Sequence, residues 1–208
     1  MTAESKGGPK LIAITDHRSL DGDLLEFIER CLTAGLDAVQ IREKDLEAKP
    51  LYELCRRARD LPNPRQTKLI LNGRVDVALA AKLDGVHLPS DSLPIDEVRK
   101  VAGTEFVIGK SCHSLEDIHR AEAGGADYAY YSPIFESTSK PEYGPALGLA
   151  ALERACREVE VPLYALGGVT EANTAGCLAA GAAGIASISL FQQAPDLGEL
   201  AARLRGGS

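Results

Sequence analysis

The chain alternates short apolar runs with segments of helical periodicity along nearly its whole length, and this alternation limits the folds that it can adopt. The clearest unit has an apolar run at residues 68–71, a turn at Asn72-Gly73, helical spacing at residues 75–82 and a second apolar run at residues 85–88. This pattern predicts strand, turn, helix and strand. Strands that alternate with helices form a parallel sheet, because each helix carries the chain back to the edge where the next strand starts.

The same unit recurs until eight strands can be counted. The predicted strands cover residues 11–15, 38–41, 68–71, 85–88, 106–109, 128–135, 163–166 and 185–188. The predicted helices cover residues 24–33, 50–59, 75–82, 95–101, 115–123, 149–159, 171–180 and 197–204. Eight β/α units in one domain favour a closed (β/α)8 barrel, an α/β fold of the TIM-barrel type, over an open doubly wound sheet. We therefore predict one barrel domain at residues 10–208, preceded by a flexible segment at residues 1–9.

Composition and charge restrict the partners. The formal net charge is −7 and no run of Lys or Arg occurs, so neither nucleic acid nor a membrane surface is an expected partner. The first ten residues lack the apolar core of a signal peptide, and no apolar run approaches the roughly 18 residues that span a bilayer. We expect a cytoplasmic protein. Its five cysteines form no CxxC and no Cys/His ligand spacing, which predicts reduced thiols rather than a metal site.

In a (β/α)8 barrel, functional groups lie at the carboxyl ends of the strands. Basic and hydroxyl side chains gather there in this acidic protein, and they predict a small anionic substrate. The predicted positions are Arg42 and Lys44 after strand two, Asn72 after strand three, Ser111 and His113 after strand five, and Ser137, Ser139 and Lys140 after strand six.

The ends of strands seven and eight predict a phosphate site. Gly167 and Gly168 follow strand seven, and Ser187, Ile188 and Ser189 end strand eight. Barrels often bind phosphate at these two ends through backbone N–H groups, and glycine allows the backbone to approach the anion closely. The alternative is that the glycine pair only forms a tight turn between strand and helix.

Several of these stretches resemble the thiamin phosphate synthase/TenI superfamily of (β/α)8 proteins. In chain order they are Gln40-Ile41-Arg42-Glu43-Lys44, Asn72-x-Arg74-Val75-Asp76, Gly85-Val86-His87-Leu88, Ser111-x-His113-Ser114, Pro133-Ile134-Phe135, Gly167-Gly168 and the end of strand eight. The resemblance runs from about residue 10 to residue 204. It covers two branches with different activities.

The synthase branch joins hydroxymethylpyrimidine pyrophosphate to thiazole phosphate, and the resemblance implies Mg²⁺ held by two aspartates. In this chain those positions are Gly73 and Ser92. Glycine supplies no carboxylate, and a serine hydroxyl is a poor ligand for a hard dication. Asp91 lies one position away and could replace Ser92 only after a shift of the loop.

The TenI branch is a thiazole tautomerase, and three stretches of this chain are similar to it: residues 72–76, 88–90 and 113–116. On this resemblance we predict an isomerase of thiamin biosynthesis that aromatises a carboxythiazole phosphate tautomer without a metal or other cofactor. His113 matches the catalytic histidine of the family. A histidine can both remove and return a proton near neutral pH.

The remaining site residues follow from the same resemblance and from their charge. Substrate binding is predicted for Arg42, Lys44, Asn72, Ser111, Ser137, Ser139 and Lys140. The expected partner is a small phosphorylated thiazole, and a homodimer is compatible with the sequence. Two other functions stay open: the synthase, and a non-catalytic protein that binds thiazole phosphate for regulation. His87 is predicted to be packed inside the barrel and His119 to lie on the surface.

Overall fold

The computed structural model describes residues 10–136 and 145–206, which form a closed barrel of eight parallel strands. The strands are β1 (Lys10–Ile14), β2 (Ala38–Ile41), β3 (Lys68–Asn72), β4 (Gly85–Leu88), β5 (Val107–Cys112), β6 (Tyr128–Tyr131), β7 (Leu163–Ala165) and β8 (Gly184–Ser187). The helices in this described part are α1 (Leu24–Ala34), α2 (Ala48–Arg59), α3 (Val75–Ala80), α4 (Ile95–Ala102), α5 (Leu115–Ala123), α6 (Gly148–Glu158), α7 (Glu171–Ala179), α8 (Ser189–Gln192) and α9 (Leu197–Leu204).

The predicted (β/α)8 fold is confirmed, because the strands pair in sequence order and β1 closes the barrel against β8 with Lys10 opposite Gly184. Two strands differ most from the prediction: β6, predicted at residues 128–135, ends at Tyr131, and β5, predicted at residues 106–109, extends to Cys112. The difference in β5 has a clear cause. Polar residues made its second half look like a loop. In the structure its pairing continues on both sides, with Lys110 opposite Leu88 of β4 and opposite Ala129 of β6. The short helix α8 was not predicted.

Local signals determine where helices begin and end, as α1 shows. The carboxylate of Asp23 accepts hydrogen bonds from the N–H groups of Leu25 and Glu26 and so caps the helix start. Gly35 ends the helix in the left-handed conformation, with φ of 70°. The buried residues of this helix are Phe27, Ile28, Cys31 and Leu32. They recur at helical spacing, so one stripe of α1 packs on the barrel.

Two apolar layers result from the alternation of side chains along each strand. The larger layer lies between the sheet and the helices, and a smaller one fills the barrel interior. The interior layer comprises Ile12, Ile14, Ala38, Ile70, Tyr128, Tyr130 and Ala186. His87 joins it, with its ring centroid 4.0 Å from that of Tyr130 in a stacked arrangement. The interior is therefore a packed core, and room for a ligand is left at the ends of the strands.

Three further observations bear on the sequence predictions. Among the described residues, no helix combines the length and the apolar character that crossing a bilayer requires. All five cysteines are free thiols, as predicted. The predicted flexible segment at residues 1–9 lies outside the described residues and stays a prediction.

Candidate active site at the carboxyl ends of the strands

Two amides meet at the ends of β2 and β3. The side chain of Gln40 donates from Nε2 to Asn72 Oδ1 at 3.0 Å. Gln40 is 2% exposed, and its Oε1 is a buried acceptor without a hydrogen-bond partner in the described structure. A buried acceptor of this kind is costly unless a ligand supplies a donor. The pair can therefore orient a heterocycle that carries an N–H group, and Asn72 stands where the sequence predicted.

Arg42 is held at the mouth of the barrel by its backbone and its charge. Its N–H donates to Thr15 Oγ1 at 2.9 Å, and its Nη1 lies 3.8 Å from a carboxylate oxygen of Asp16. The Arg42 side chain is 14% exposed. An arginine that is largely covered and only loosely paired is well placed to bind an anion by two parallel hydrogen bonds.

Lys44 differs from Arg42 in its exposure, although alternation along an extended strand would put the two residues on the same side. Lys44 is exposed to solvent in the turn after β2. Strand β2 ends at Ile41, so the alternation of a strand no longer applies to the residues that follow. The carboxylate that pairs with Arg42 is that of Asp16, and not that of its neighbour Glu43.

Glu43 is a buried carboxylate that sequence reasoning did not assign to the site. It is 5% exposed and accepts hydrogen bonds from the Thr15 hydroxyl and from the His17 backbone N–H, the latter at 3.0 Å. Its Oε2 lies 2.6 Å from His17 Nδ1. The hydrogen bond to Glu43 is the main cause that raises the pKa of His17, against the opposing effect of burial. This network joins the ends of β1 and β2 and supports the backbone of Arg42 through Thr15.

His113 follows β5 directly. Its Nδ1 lies 2.8 Å from the carbonyl oxygen of Ser132, and its backbone N–H donates to Asp117 at 3.1 Å. A carbonyl oxygen can only accept, so this contact assigns a proton to Nδ1. The structure thus orients the ring that the sequence singled out.

Ser111 and His87 form a second polar link, below the rim. Ser111 Oγ lies 2.8 Å from His87 Nε2, and His87 Nδ1 lies 3.1 Å from the hydroxyl of Tyr128. Burial, with the nearby charge of Lys110 as the smaller cause, lowers the pKa of His87 to about 3. The packing of His87 inside the barrel was predicted, and the structure confirms it. Ser111, predicted to bind substrate, is engaged with His87.

The glycine pair after β7 is required by close backbone contacts. Gly167 and Gly168 have φ of 89° and 63°. A Cβ atom on Gly167 would lie 2.8 Å from Pro133 Cα, and one on Gly168 would lie 2.5 Å from the carbonyl oxygen of Glu136. The pair therefore packs against the segment that leaves β6. This supports the interpretation that the glycines form a tight turn, and it does not test whether they bind phosphate.

The other half of the predicted phosphate site is at the end of β8. Ser187 is buried, and its Oγ accepts a hydrogen bond from the N–H of Leu190 at 3.3 Å. Ile188 and Ser189 lead from the strand into α8. Because β7 and β8 are paired neighbours, the two predicted halves lie on adjacent strand ends. The predicted residues Ser137, Ser139 and Lys140 lie outside the described residues.

Within residues 10–136 and 145–206, the one group of side chains spaced like metal ligands is His17, Glu43 and Asp45, whose ligand atoms lie within 4.8 Å of one another. These groups already form hydrogen bonds and ion pairs with one another and with neighbouring residues. Glu43 is bound by Thr15 and His17, and Asp45 lies 3.1 Å from Nη2 of Arg18. The arrangement is explained as an ion-pair network.

Comparison with known proteins finds similarity to thiamine-phosphate synthases along nearly the whole chain. The family model described as thiamine monophosphate synthase matches residues 11–191. A protein of Aquifex aeolicus, provisionally named thiamine-phosphate synthase 2, is 44% identical over 183 residues, covering 88% of this chain and 97% of that protein. The thiamine-phosphate synthase of Roseiflexus castenholzii is 38% identical over 184 residues, covering 88% of this chain and 81% of that protein. The structure of thiamine phosphate pyrophosphorylase from Pyrococcus furiosus superposes with a TM-score of 0.83 at 32% identity, covering 95% and 94% of the two chains.

The prediction of a thiazole tautomerase, and of an isomerase in general, is wrong. The sequence relatives are named thiamine-phosphate synthases, and the similar structure is named a thiamine phosphate pyrophosphorylase. The prediction depended on three stretches similar to the TenI branch, residues 72–76, 88–90 and 113–116, and on Gly73 and Ser92 in place of two aspartates. The physical reason for the error is that those positions determine how a cation would be held and not which bond the site makes or breaks. The superfamily itself was predicted correctly, and this chain belongs to the thiamine monophosphate synthase family.

Proposed function

We propose that the chain is a thiamine-phosphate synthase, a transferase of thiamine biosynthesis. The observation that supports this most is the similarity to synthases along nearly the whole chain, 38% identity over 184 residues in one case. The reaction joins the hydroxymethylpyrimidine group of a diphosphate ester to the ring nitrogen of thiazole phosphate. Both substrates are phosphorylated, which agrees with a basic and hydroxyl-rich rim on an acidic protein.

The chemistry assigns tasks to the rim residues. The thiazole nitrogen forms a bond to the methylene carbon while the carbon–oxygen bond breaks, and the bonding electrons leave with the diphosphate. No proton is transferred in this step, so the site needs cations for the leaving group more than a general base. Arg42, with its largely covered guanidinium, is the described cation best placed for it. Gln40 and Asn72 are suited to hold the aminopyrimidine ring by their amides.

The remaining predicted residues keep their proposed roles in this reaction. We assign the thiazole phosphate to the ends of β7 and β8, at Gly167-Gly168 and residues 187–189. Lys44, Ser111, Ser137, Ser139 and Lys140 are proposed substrate contacts. His113 is proposed as a substrate contact, since the reaction gives it no proton to move.

The residues do not fit the Mg²⁺ site that the family implies. Gly73 has no side chain to offer, and Ser92 Oγ accepts a hydrogen bond from the ammonium of Lys110 at 2.8 Å. The nearby carboxylate of Asp76 is bound by two nitrogens of Arg74, at 2.9 and 2.6 Å. Protein cations are therefore assigned to the charge of the leaving group.

The proposed function is tested by incubating the protein with hydroxymethylpyrimidine diphosphate and thiazole phosphate, and following thiamine phosphate by chromatography and mass spectrometry. Parallel reactions contain Mg²⁺ or EDTA. Arg42→Met should lower kcat/KM about 10²–10³-fold, as expected for loss of a donor to a developing charge. Arg56→Met, which removes an exposed arginine paired with Glu53 on α2, is the matched control. If the wild type forms no thiamine phosphate in either condition, the proposed function is wrong.

A further inference from the structure

Lys110 reaches the rim of the barrel from the outer face of β5. Its neighbour Ser111 contacts His87 in the interior, so alternation places the Lys110 side chain on the side of the helices. From there its Nζ donates to the carbonyl oxygen of Pro89 at 2.7 Å and to Ser92 Oγ at 2.8 Å. The ammonium therefore lies in the loop that follows β4, at the carboxyl end of the barrel.

The surroundings partly remove this ammonium from solvent. Lys110 is half-buried, and burial lowers its pKa, while the carboxylates of Asp91 and Asp117 act in the opposite direction. An ammonium has three N–H donors, and the contacts to Pro89 and Ser92 account for two. The backbone carbonyl and the hydroxyl thus orient a cation whose interaction with an anion is less screened than at an open surface.

This cation stands where the family pattern requires a metal ligand. Ser92 occupies the position of one of the two aspartates that hold Mg²⁺ in the synthase branch, and its oxygen is engaged by Lys110. Gly73 occupies the position of the other. A dication next to the ammonium would be repelled and would find no carboxylate at either position. The chain therefore lacks both ligands and carries a positive charge of its own at that place.

We propose that the Lys110 ammonium replaces the divalent cation of the family, so that this chain binds the diphosphate group through protein cations and without a metal. The inference deepens the proposed function and rests on it for the identity of the anion. It adds a specificity-determining residue, Lys110, that neither the motifs nor the comparisons assign.

Binding of inorganic pyrophosphate, measured by titration calorimetry, tests the proposal independently of turnover. The wild type should bind pyrophosphate in EDTA, and addition of Mg²⁺ should not strengthen the binding. Lys110→Met should weaken binding about 10-fold or more, the loss expected for one hydrogen bond to a charged group. Lys110→Arg should retain most of it. Lys100→Met, which removes an exposed lysine paired with Glu97 on α4, is the matched control and should bind as the wild type does.

A reverse substitution tests the same idea by gain of function. The triple variant Gly73→Asp, Ser92→Asp, Lys110→Met restores both carboxylates and removes the ammonium. Position 73 has room, since a Cβ there would be 3.7 Å from the Pro89 ring, and aspartate tolerates its φ of 77° better than most residues. We expect this variant to bind pyrophosphate at least 10-fold more tightly with Mg²⁺ than with EDTA.

Each outcome bears on the proposal. It is overturned if the wild type needs Mg²⁺ to bind pyrophosphate, if it does not bind pyrophosphate at all, or if folded Lys110→Met and Lys110→Gln both bind as the wild type does. Circular dichroism and thermal melting establish that the variants are folded. Metal-free binding of pyrophosphate together with failure to form thiamine phosphate would contradict the proposed function alone, so the two failures are distinguishable.

Discussion

Replacing Glu43 by glutamine should test the buried network that joins the ends of β1 and β2. Glu43 accepts from the Thr15 hydroxyl, from the His17 N–H at 3.0 Å and from His17 Nδ1 at 2.6 Å. Glutamine has nearly the same shape but one acceptor oxygen and an NH₂ group. At least one of these donors therefore loses its acceptor in the variant.

The size of the effect follows from burial. Hydrogen bonds to a charged group contribute about 1.5–3 kcal/mol, and a buried donor left unsatisfied costs about 1–3 kcal/mol. Thr15 is fully buried, so water does not compensate for its loss. The His17 side chain is 38% exposed, so its share is reduced by solvent. We expect Glu43→Gln to lower the free energy of unfolding by about 2–3 kcal/mol, which corresponds to roughly 4–12 °C in Tm for a chain of this size.

The effect should also depend on pH. The pKa of His17 is raised in the folded protein, chiefly by its hydrogen bond to Glu43. Its contribution to stability is therefore complete below the unfolded value of about 6.5 and is lost as pH rises through the folded pKa. The difference in stability between wild type and variant should be larger at about pH 6 than at about pH 9.

Urea denaturation at both pH values, followed by circular dichroism, gives the two differences. Glu29→Gln, an exposed glutamate on α1, serves as the control and should change stability little. A loss below about 0.5 kcal/mol, within the range of ordinary surface substitutions, would refute the account of Glu43 as a buried acceptor. A loss that is equal at both pH values would refute the protonated state of His17.

Two further predictions concern the glycine pair and the thiols. Gly168→Ala should destabilise the protein more than Gly125→Ala: both positions have positive φ, 63° and 82°, but a Cβ at 168 would crowd the carbonyl of Glu136 while nothing lies within 4 Å of one at 125. We expect Gly125→Ala to lower the free energy of unfolding by about 1–2 kcal/mol and Gly168→Ala to lower it by about 1–3 kcal/mol more, measured by urea denaturation. Equal losses would contradict the close approach of the Glu136 carbonyl to position 168. Burial raises the pKa of Cys31, Cys55 and Cys112 to about 12, whereas Cys156 is partly exposed. At pH 8 a disulfide reagent should therefore modify at most one thiol, that of Cys156, rapidly in the native protein. After unfolding it should modify all five. Two or more rapidly reacting thiols in the native protein would show that the cysteines are not buried as described.

Much of the fold could be predicted from the sequence because its signals are local. Alternating periodicity, turn residues and helix caps each act within a few neighbouring residues, so four elements, such as β2 and α5, were predicted with their observed bounds. Strand β5 was predicted too short because polar residues are not expected inside a strand. Lys110 continues β5 only because neighbours on both sides, Leu88 and Ala129, complete its pairing.

The site divides in the same way. The sequence by itself determined which residues reach the strand ends, among them Arg42, Asn72 and His113, because parallel strands bring their carboxyl ends to one rim. Only the tertiary structure decided their partners, since those contacts join residues far apart in the chain: Glu43 with Thr15, 28 residues away, and Gln40 with Asn72, 32 residues away. It also placed Lys110 against Ser92, at 18 residues' separation. No local pattern encodes such contacts, because they depend on how neighbouring strands are aligned once the barrel has closed.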